Sequence, residues 1–150
     1  MWRDMPEATS GTVLAFDFGL KRVGVAVGEP EVGTAHALAG IAAGDDALFA
    51  EVARLVAEWR PATLVVGLPL HAEGEAHEMT RRAERFARQL EGRFGLPVAL
   101  VDERYTSVEA EGRVRAAAGA RRAAKASRSR TLDSLAAQLI LEQYFSEQPA

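Results

Sequence analysis

The sequence predicts an α/β domain built on a five-stranded mixed sheet, in which a three-stranded antiparallel meander is continued by parallel strands and flanked by helices. Three observations carry this. Between Thr12 and Ile41 the chain offers alternating, β-rich segments separated by short turns. From Thr63 onward, short uniformly apolar segments alternate with long helical ones, which is the pattern of parallel strands covered on both faces. The chain has 150 residues, 48% apolar and 26% charged, with no internal repeat or linker, so one domain over 1–150 is expected, frayed at 1–11 and 146–150.

The elements follow in order. Thr12 to Phe18 (TVLAFDF) and Arg22 to Val27 (RVGVAV) alternate on either side of Gly19-Leu20-Lys21 and predict a β-hairpin. A weaker third strand fits Thr34 to Ile41. Gly44 and Asp45 or Asp46 then open a helix whose apolar residues Leu48, Val52, Leu55, Val56 and Trp59 recur at helical spacing before Pro61. Thr63 to Val66 is a short buried strand, with Gly67 and Pro69 shaping the turn after it or bringing backbone close to the site. Glu75 to Phe94 is an Arg/Glu-laced helix closed by Gly95, and Val98 to Val101 is a further strand. A helix is expected from Thr106 to Ala117, capped by Thr106 or Ser107 unless that helix start binds phosphate. The last helix should run from Thr131 to Phe145, with Leu135 and Leu139, together with Leu132 and Leu141, turned to the sheet. This order of elements is that of the ribonuclease H-like fold, which by itself does not settle function.

Composition excludes several chemistries. There is no Cys, which removes disulfides, thiolate zinc sites and thiol nucleophiles. No apolar run reaches membrane-spanning length and Met1 to Gly11 is polar, so a cytoplasmic protein with no membrane partner is expected. A Ser/His/Asp triad lacks a suitable His, since His36, His71 and His77 fall in loop or surface contexts, and no Walker A loop or Gly-x-Gly-x-x-Gly follows the first strand. Net charge is −3, yet Gly112 to Leu132 carries seven cations and no carboxylate. Arg113, Arg115, Arg121, Arg122, Lys125, Arg128 and Arg130 therefore form either a solvated loop or a phosphate-binding surface.

Three carboxylates stand out. Asp17 interrupts an apolar strand, where a buried charge is costly unless paired or metal-bound, although an Asp near a strand end can also satisfy the following turn. Glu103 follows Asp102 where the strand Val98 to Val101 runs out, at the sheet edge where open α/β sheets place ligands; a solvated turn neutralised by Arg104 is the plainer alternative. The two should point to opposite faces, so only one joins a shared site. Asp133 stands at the start of the last helix, where a capping charge is equally at home. Together the three would supply hard oxygen ligands for Mg²⁺ or Mn²⁺ at a phosphodiester.

These segments resemble a bacterial family described as candidate Holliday-junction resolvases and as nucleases that mature the ends of precursor 16S ribosomal RNA. The matching stretches are Ala15 to Ala26, Val66 to Leu70, Val101 to Ser107, Asp133 to Ala137 and Ile140 to Phe145, in the family's order. The resemblance implies a ribonuclease H-like fold and a metal-dependent nuclease, with Asp17, Glu103 and Asp133 as catalytic carboxylates. It also implies that Lys21, Arg104 and Lys125 face phosphate. Leu20 replaces the family's usual Thr, His71 its Asn, and Tyr105 an aliphatic residue.

The leading expectation is a structure-selective endonuclease acting on structured RNA or branched DNA as a monomer or homodimer. A sugar-kinase or actin-like ATPase also presents Asp-x-Gly on its first hairpin, but cradles nucleotide between two domains where this length supplies one. A non-catalytic nucleic-acid or ribosome-associated module with the same fold is the remaining alternative.

Overall fold

The computed structural model describes residues 11–19, 21–68, 75–102 and 134–147. The first hairpin joins β1 (Val13–Phe18) to β2 (Arg22–Glu29), and β3 (Thr34–Ala42) completes the meander. Helix α1 (Asp45–Trp59), strand β4 (Thr63–Leu68), helix α2 (Glu75–Phe94), strand β5 (Val98–Asp102) and a last helix, α3 (Leu135–Glu147), follow. The sheet order is β3-β2-β1-β4-β5. β1 pairs antiparallel with β2 and β2 with β3, while β4 runs parallel to β1 and β5 parallel to β4. This is the mixed sheet that the sequence predicts.

Strand alternation sends successive side chains to opposite faces, and each face has its own core. Leu14, Phe16, Val25, Leu64 and Val66 pack under α1 and α2 against Val52, Phe86 and Leu90. Val13, Ala15, Ala26, Ala35 and Val65 pack under α3 against Ala137, Ile140 and Leu141. The second face is lined by alanines, which lets α3 lie close to the sheet. At Gly28 an added Cβ would meet the Thr34 carbonyl oxygen at 2.5 Å and the Phe145 ring at 2.9 Å.

β3 and β5 outrun their expected ends by one residue, to Ala42 and Asp102, and β2 and β4 by two. β2 continues through Gly28 to Glu29, and β4 continues through Gly67 to Leu68, so Gly67 is a strand residue paired with Val101 and not part of a turn. Both of these two-residue extensions pass through a glycine, which reads as a strand end in sequence, and at Gly28 the missing side chain admits a close neighbour. In α3, Leu139 and Leu141 are buried as expected, whereas Leu135 is half-buried and the remaining buried positions are Ala137 and Ile140. The helix also persists past Phe145 to Glu147, so Ser146 and Glu147 are helical and not frayed. The expected helix from Thr106 to Ala117, the fraying of residues 1–10 and 148–150, and Leu132, Pro69 and His71 lie outside the described residues.

Candidate functional site

Asp17 sits one residue from the end of β1, half-buried, on the α3 face that it shares with Val13 and Ala15. Its cross-strand partner on β2 is Gly24. On the other side, β1 is in register with β4 through Phe16 and Val66, so the residue that follows on Asp17's row is Gly67. With glycine at both flanking positions, neither neighbouring strand puts a side chain on Asp17's row, and a glycine within a strand commonly marks where a ligand or a second backbone comes close.

The start of α3 is tied to the same place. Ser134 is fully buried, and its Oγ accepts a 2.8 Å hydrogen bond from the Val25 backbone N–H. Val25 adjoins Gly24. The β2–β3 register shifts between Val23, which pairs with Ile41, and Val25, which pairs with Leu38, so Ala39 and Gly40 together oppose Gly24. Such a bulge disrupts the ladder locally, and bulges are frequent beside functional sites. Arg22 reaches across it to donate to the Gly40 carbonyl oxygen at 3.1 Å. The bulge and the serine tether therefore hold the chain position immediately after Asp133 against the strand residue that neighbours Asp17's partner.

The β1–β2 turn forms the rim. At Gly19 an added Cβ would lie 2.6 Å from the Arg22 carbonyl oxygen, so the turn itself requires glycine there. Lys21 is exposed on this turn, and its carbonyl oxygen accepts from the Ala43 N–H at 2.9 Å, fastening the turn to the end of β3. On β5, Val101 shares the α3 face while Asp102 ends the strand level with Leu68 and takes the opposite face.

Of the expected site residues, Asp17 and Lys21 fall among the described residues, both at the C-terminal edge of β1. Leu20, Glu103, Arg104, Tyr105, Arg113, Arg115, Arg121, Arg122, Lys125, Arg128, Arg130 and Asp133 lie outside them. Among the described residues no three His, Asp or Glu side chains converge on a metal position. His36 is an exposed residue of β3, in agreement with a surface role. Ser134 and the bulge opposite Gly24 escape the sequence reading, which starts the last helix at Thr131 and so places Ser134 inside it, whereas the helix begins at Leu135.

Residues 11–147 match the family model described as RuvX, Holliday junction resolvase. The chain belongs to the RuvX family. Relatives named as candidate pre-16S rRNA nucleases include one from Nitrosospira multiformis, 48% identical over 94% of this chain and 91% of its own. One from Dechloromonas aromatica is 52% identical over 90% of each chain, and one from Nitrosomonas europaea 51% identical over 95% and 94%. Among solved structures, the T. thermophilus RuvC in complex with a Holliday junction substrate superposes with a TM-score of 0.55 at 19% identity, covering 91% of this chain and 94% of that one. That likeness establishes the ribonuclease H-like fold. The RuvX family assignment and the fold agree with the resemblance carried by the sequence motifs.

Proposed function

We propose that this RuvX-family chain is a divalent-metal-dependent endonuclease of structured nucleic acid, acting in maturation of precursor 16S ribosomal RNA ends or on four-way junctions. The observation that carries the reading is the Ser134–Val25 tether, which fixes the chain next to Asp133 beside the strand that faces Asp17. The names of the relatives support the polymer and the hydrolysis of its backbone.

Asp17, Glu103 and Asp133 are the proposed metal ligands and catalytic carboxylates. Sequence parity supports Glu103 over Asp102, since Asp102 takes the face opposite Asp17 and its successor has the parity of Asp17's own. The donor set is all carboxylate, suited to Mg²⁺ or Mn²⁺, and the glycines flanking Asp17 leave space for a ligand on that face. A bound divalent ion would activate water and stabilise the leaving oxygen of the phosphodiester. Lys21, on the rim, would contact backbone phosphate, and Arg104, Arg121, Arg122, Lys125, Arg128 and Arg130 would extend that contact without reading bases. The site serves a cytoplasmic enzyme; among the described residues no helix is long and apolar enough to cross a membrane.

Metal binding is tested by melting the protein with and without Mg²⁺ or Mn²⁺. A ligand bound only to the native state raises stability, by about 2.7 kcal/mol at a hundred times its Kd. The stabilisation is expected in the wild type and absent in Asp17→Asn. An equal shift in both proteins would remove Asp17 from the metal site, and no shift in either would favour a non-catalytic binding module.

A further inference from the structure

On the other face of the sheet, at the same edge as Asp17, a cavity of about 350 Å³ opens between α1 and α2. Its size falls within the range of ligand-holding clefts. The cavity floor is aromatic. Phe18, the residue after Asp17, packs 5.0 Å from Phe86, and Phe86 lies 5.9 Å from Phe49. The wall is cationic. Arg82, Arg85, Gln89 and Arg93 recur along one stripe of α2 at intervals of three or four residues, and all four line the cavity. Arg93 lies over the Phe49 ring with its guanidinium carbon 4.0 Å from the centroid. Among the described residues Asp46 is the one carboxylate in the lining and Glu78 pairs with Arg82 at 3.4 Å, whereas Glu84 and Glu91 stand on another side of α2, beside Arg88 and β5.

A stripe of arginine forks beside aromatic rings, one fork lying over Phe49, suits a phosphodiester backbone and unstacked bases better than it suits an isolated metal or an apolar ligand. Position favours the same partner. The Lys21 turn joins Asp17's strand to Ala43, which lines the cavity, so one edge of the molecule carries Asp17, an exposed lysine and the arginine stripe in succession.

We propose that this α1–α2 cleft is a second nucleic-acid subsite, which holds a single-stranded flank of the substrate after it passes over the Lys21 turn. The proposal rests on the nuclease reading for the identity of the polymer, but its test reads binding and not cleavage. Labelled single-stranded RNAs of graded length are titrated at several salt concentrations against wild-type protein, Arg82→Gln/Arg85→Gln, Arg85→Lys and the control Arg54→Gln. Arg54 lies on α1, paired with Glu51 and Glu58, and does not line the cavity.

The double variant should weaken binding of the longer RNAs by about tenfold or more, and lower the slope of log K against log salt by about 1.4, the value for two phosphate contacts on a single strand. Arg85→Lys keeps the charge but loses the fork, and should fall between. Arg54→Gln should match the wild type. An unchanged slope and affinity in the double variant, or wild-type binding too weak to measure, would overturn the subsite. Binding of a nucleoside monophosphate as tight as that of the longer RNAs would also overturn it, making the cleft a small-anion site. Wild-type protein that binds with this pattern yet cuts no substrate would refute the nuclease reading and leave the subsite standing.

Discussion

Replacing Ser134 by Ala is the substitution with the most to say about how the candidate site is held. Ser134 is 0% exposed, and its Oγ is the acceptor for the Val25 N–H at 2.8 Å. Alanine nearly preserves volume, so the cost is that of a buried backbone donor left without a partner, about 1–3 kcal/mol. For a domain of this length each kcal/mol moves the melting temperature by about 2–4 °C, so a fall of roughly 2–12 °C is expected. Thermal and urea denaturation measure it, with the urea slope unchanged because the exposed surface on unfolding is the same. Amide exchange at Val25 provides the local readout, slow in the wild type and faster in the variant. On activity, the substitution should lower cleavage more than RNA binding, because it loosens the chain beside Asp133 and leaves the cationic surfaces in place. A variant with wild-type melting and wild-type exchange at Val25 would refute the tether and with it the positional argument for Asp133.

Four further outcomes are expected. Gly19→Ala places a Cβ 2.6 Å from the Arg22 carbonyl oxygen and should cost about 1–3 kcal/mol in denaturant titration, more than Gly44→Ala, whose Cβ meets nothing within 4 Å. Phe86→Ala removes the ring on which Phe16, Phe18 and Phe49 converge and should cost about 3–5 kcal/mol by the same method. Arg60 closes α1 in the left-handed region at φ 48°, so Arg60→Gly should stabilise by about 1 kcal/mol or less, read as a small rise in melting temperature. Burial raises the Tyr144 phenol above its ordinary 10.0, so the unfolded chain ionises first and stability should fall as pH climbs above 10. Tyr144→Phe should flatten that alkaline limb, and an unaltered limb would contradict the assignment.

How much of this is legible in the sequence depends on the range of the interactions involved. The five strands follow from local alternation or uniform apolarity, and Asp17 is conspicuous because a carboxylate breaks the run Ala15-Phe16-Asp17-Phe18. Gly28 and Gly67 read as ends because glycine usually weakens a strand, whereas here one lies under Phe145 and the other continues Asp17's row. The buried face of α3 is harder, since apolar residues surround most of that helix; Ile140 and Ala137 are buried where Leu135 is not. Ser134 gives no signal because its partner lies 109 residues earlier in the chain. The arginines of α2 alternate with glutamates in sequence and read as a solvated helix, and the segregation of Arg82, Arg85 and Arg93 to one cleft emerges when the helix is set against α1. Some of those charges do behave as simple surface pairs. Hydrogen bonding to Arg81, then its charge and the weaker pairing with Arg82, holds the exposed Glu78 carboxyl below its usual range, so that contribution should be present near neutrality and fade as pH falls through that lowered value.

The most direct test of the account is cleavage of labelled precursor 16S ribosomal RNA ends and four-way DNA junctions side by side, with Mg²⁺ or Mn²⁺, by wild-type protein and Asp17→Asn. The account predicts metal-dependent cutting of at least one substrate by the wild type, reduced roughly 10²–10³-fold or more in the variant, the usual loss when one electrostatic stabiliser of a transition state is removed. Equal cutting by the two proteins, or intact binding of both substrates with no cutting at all, would contradict it.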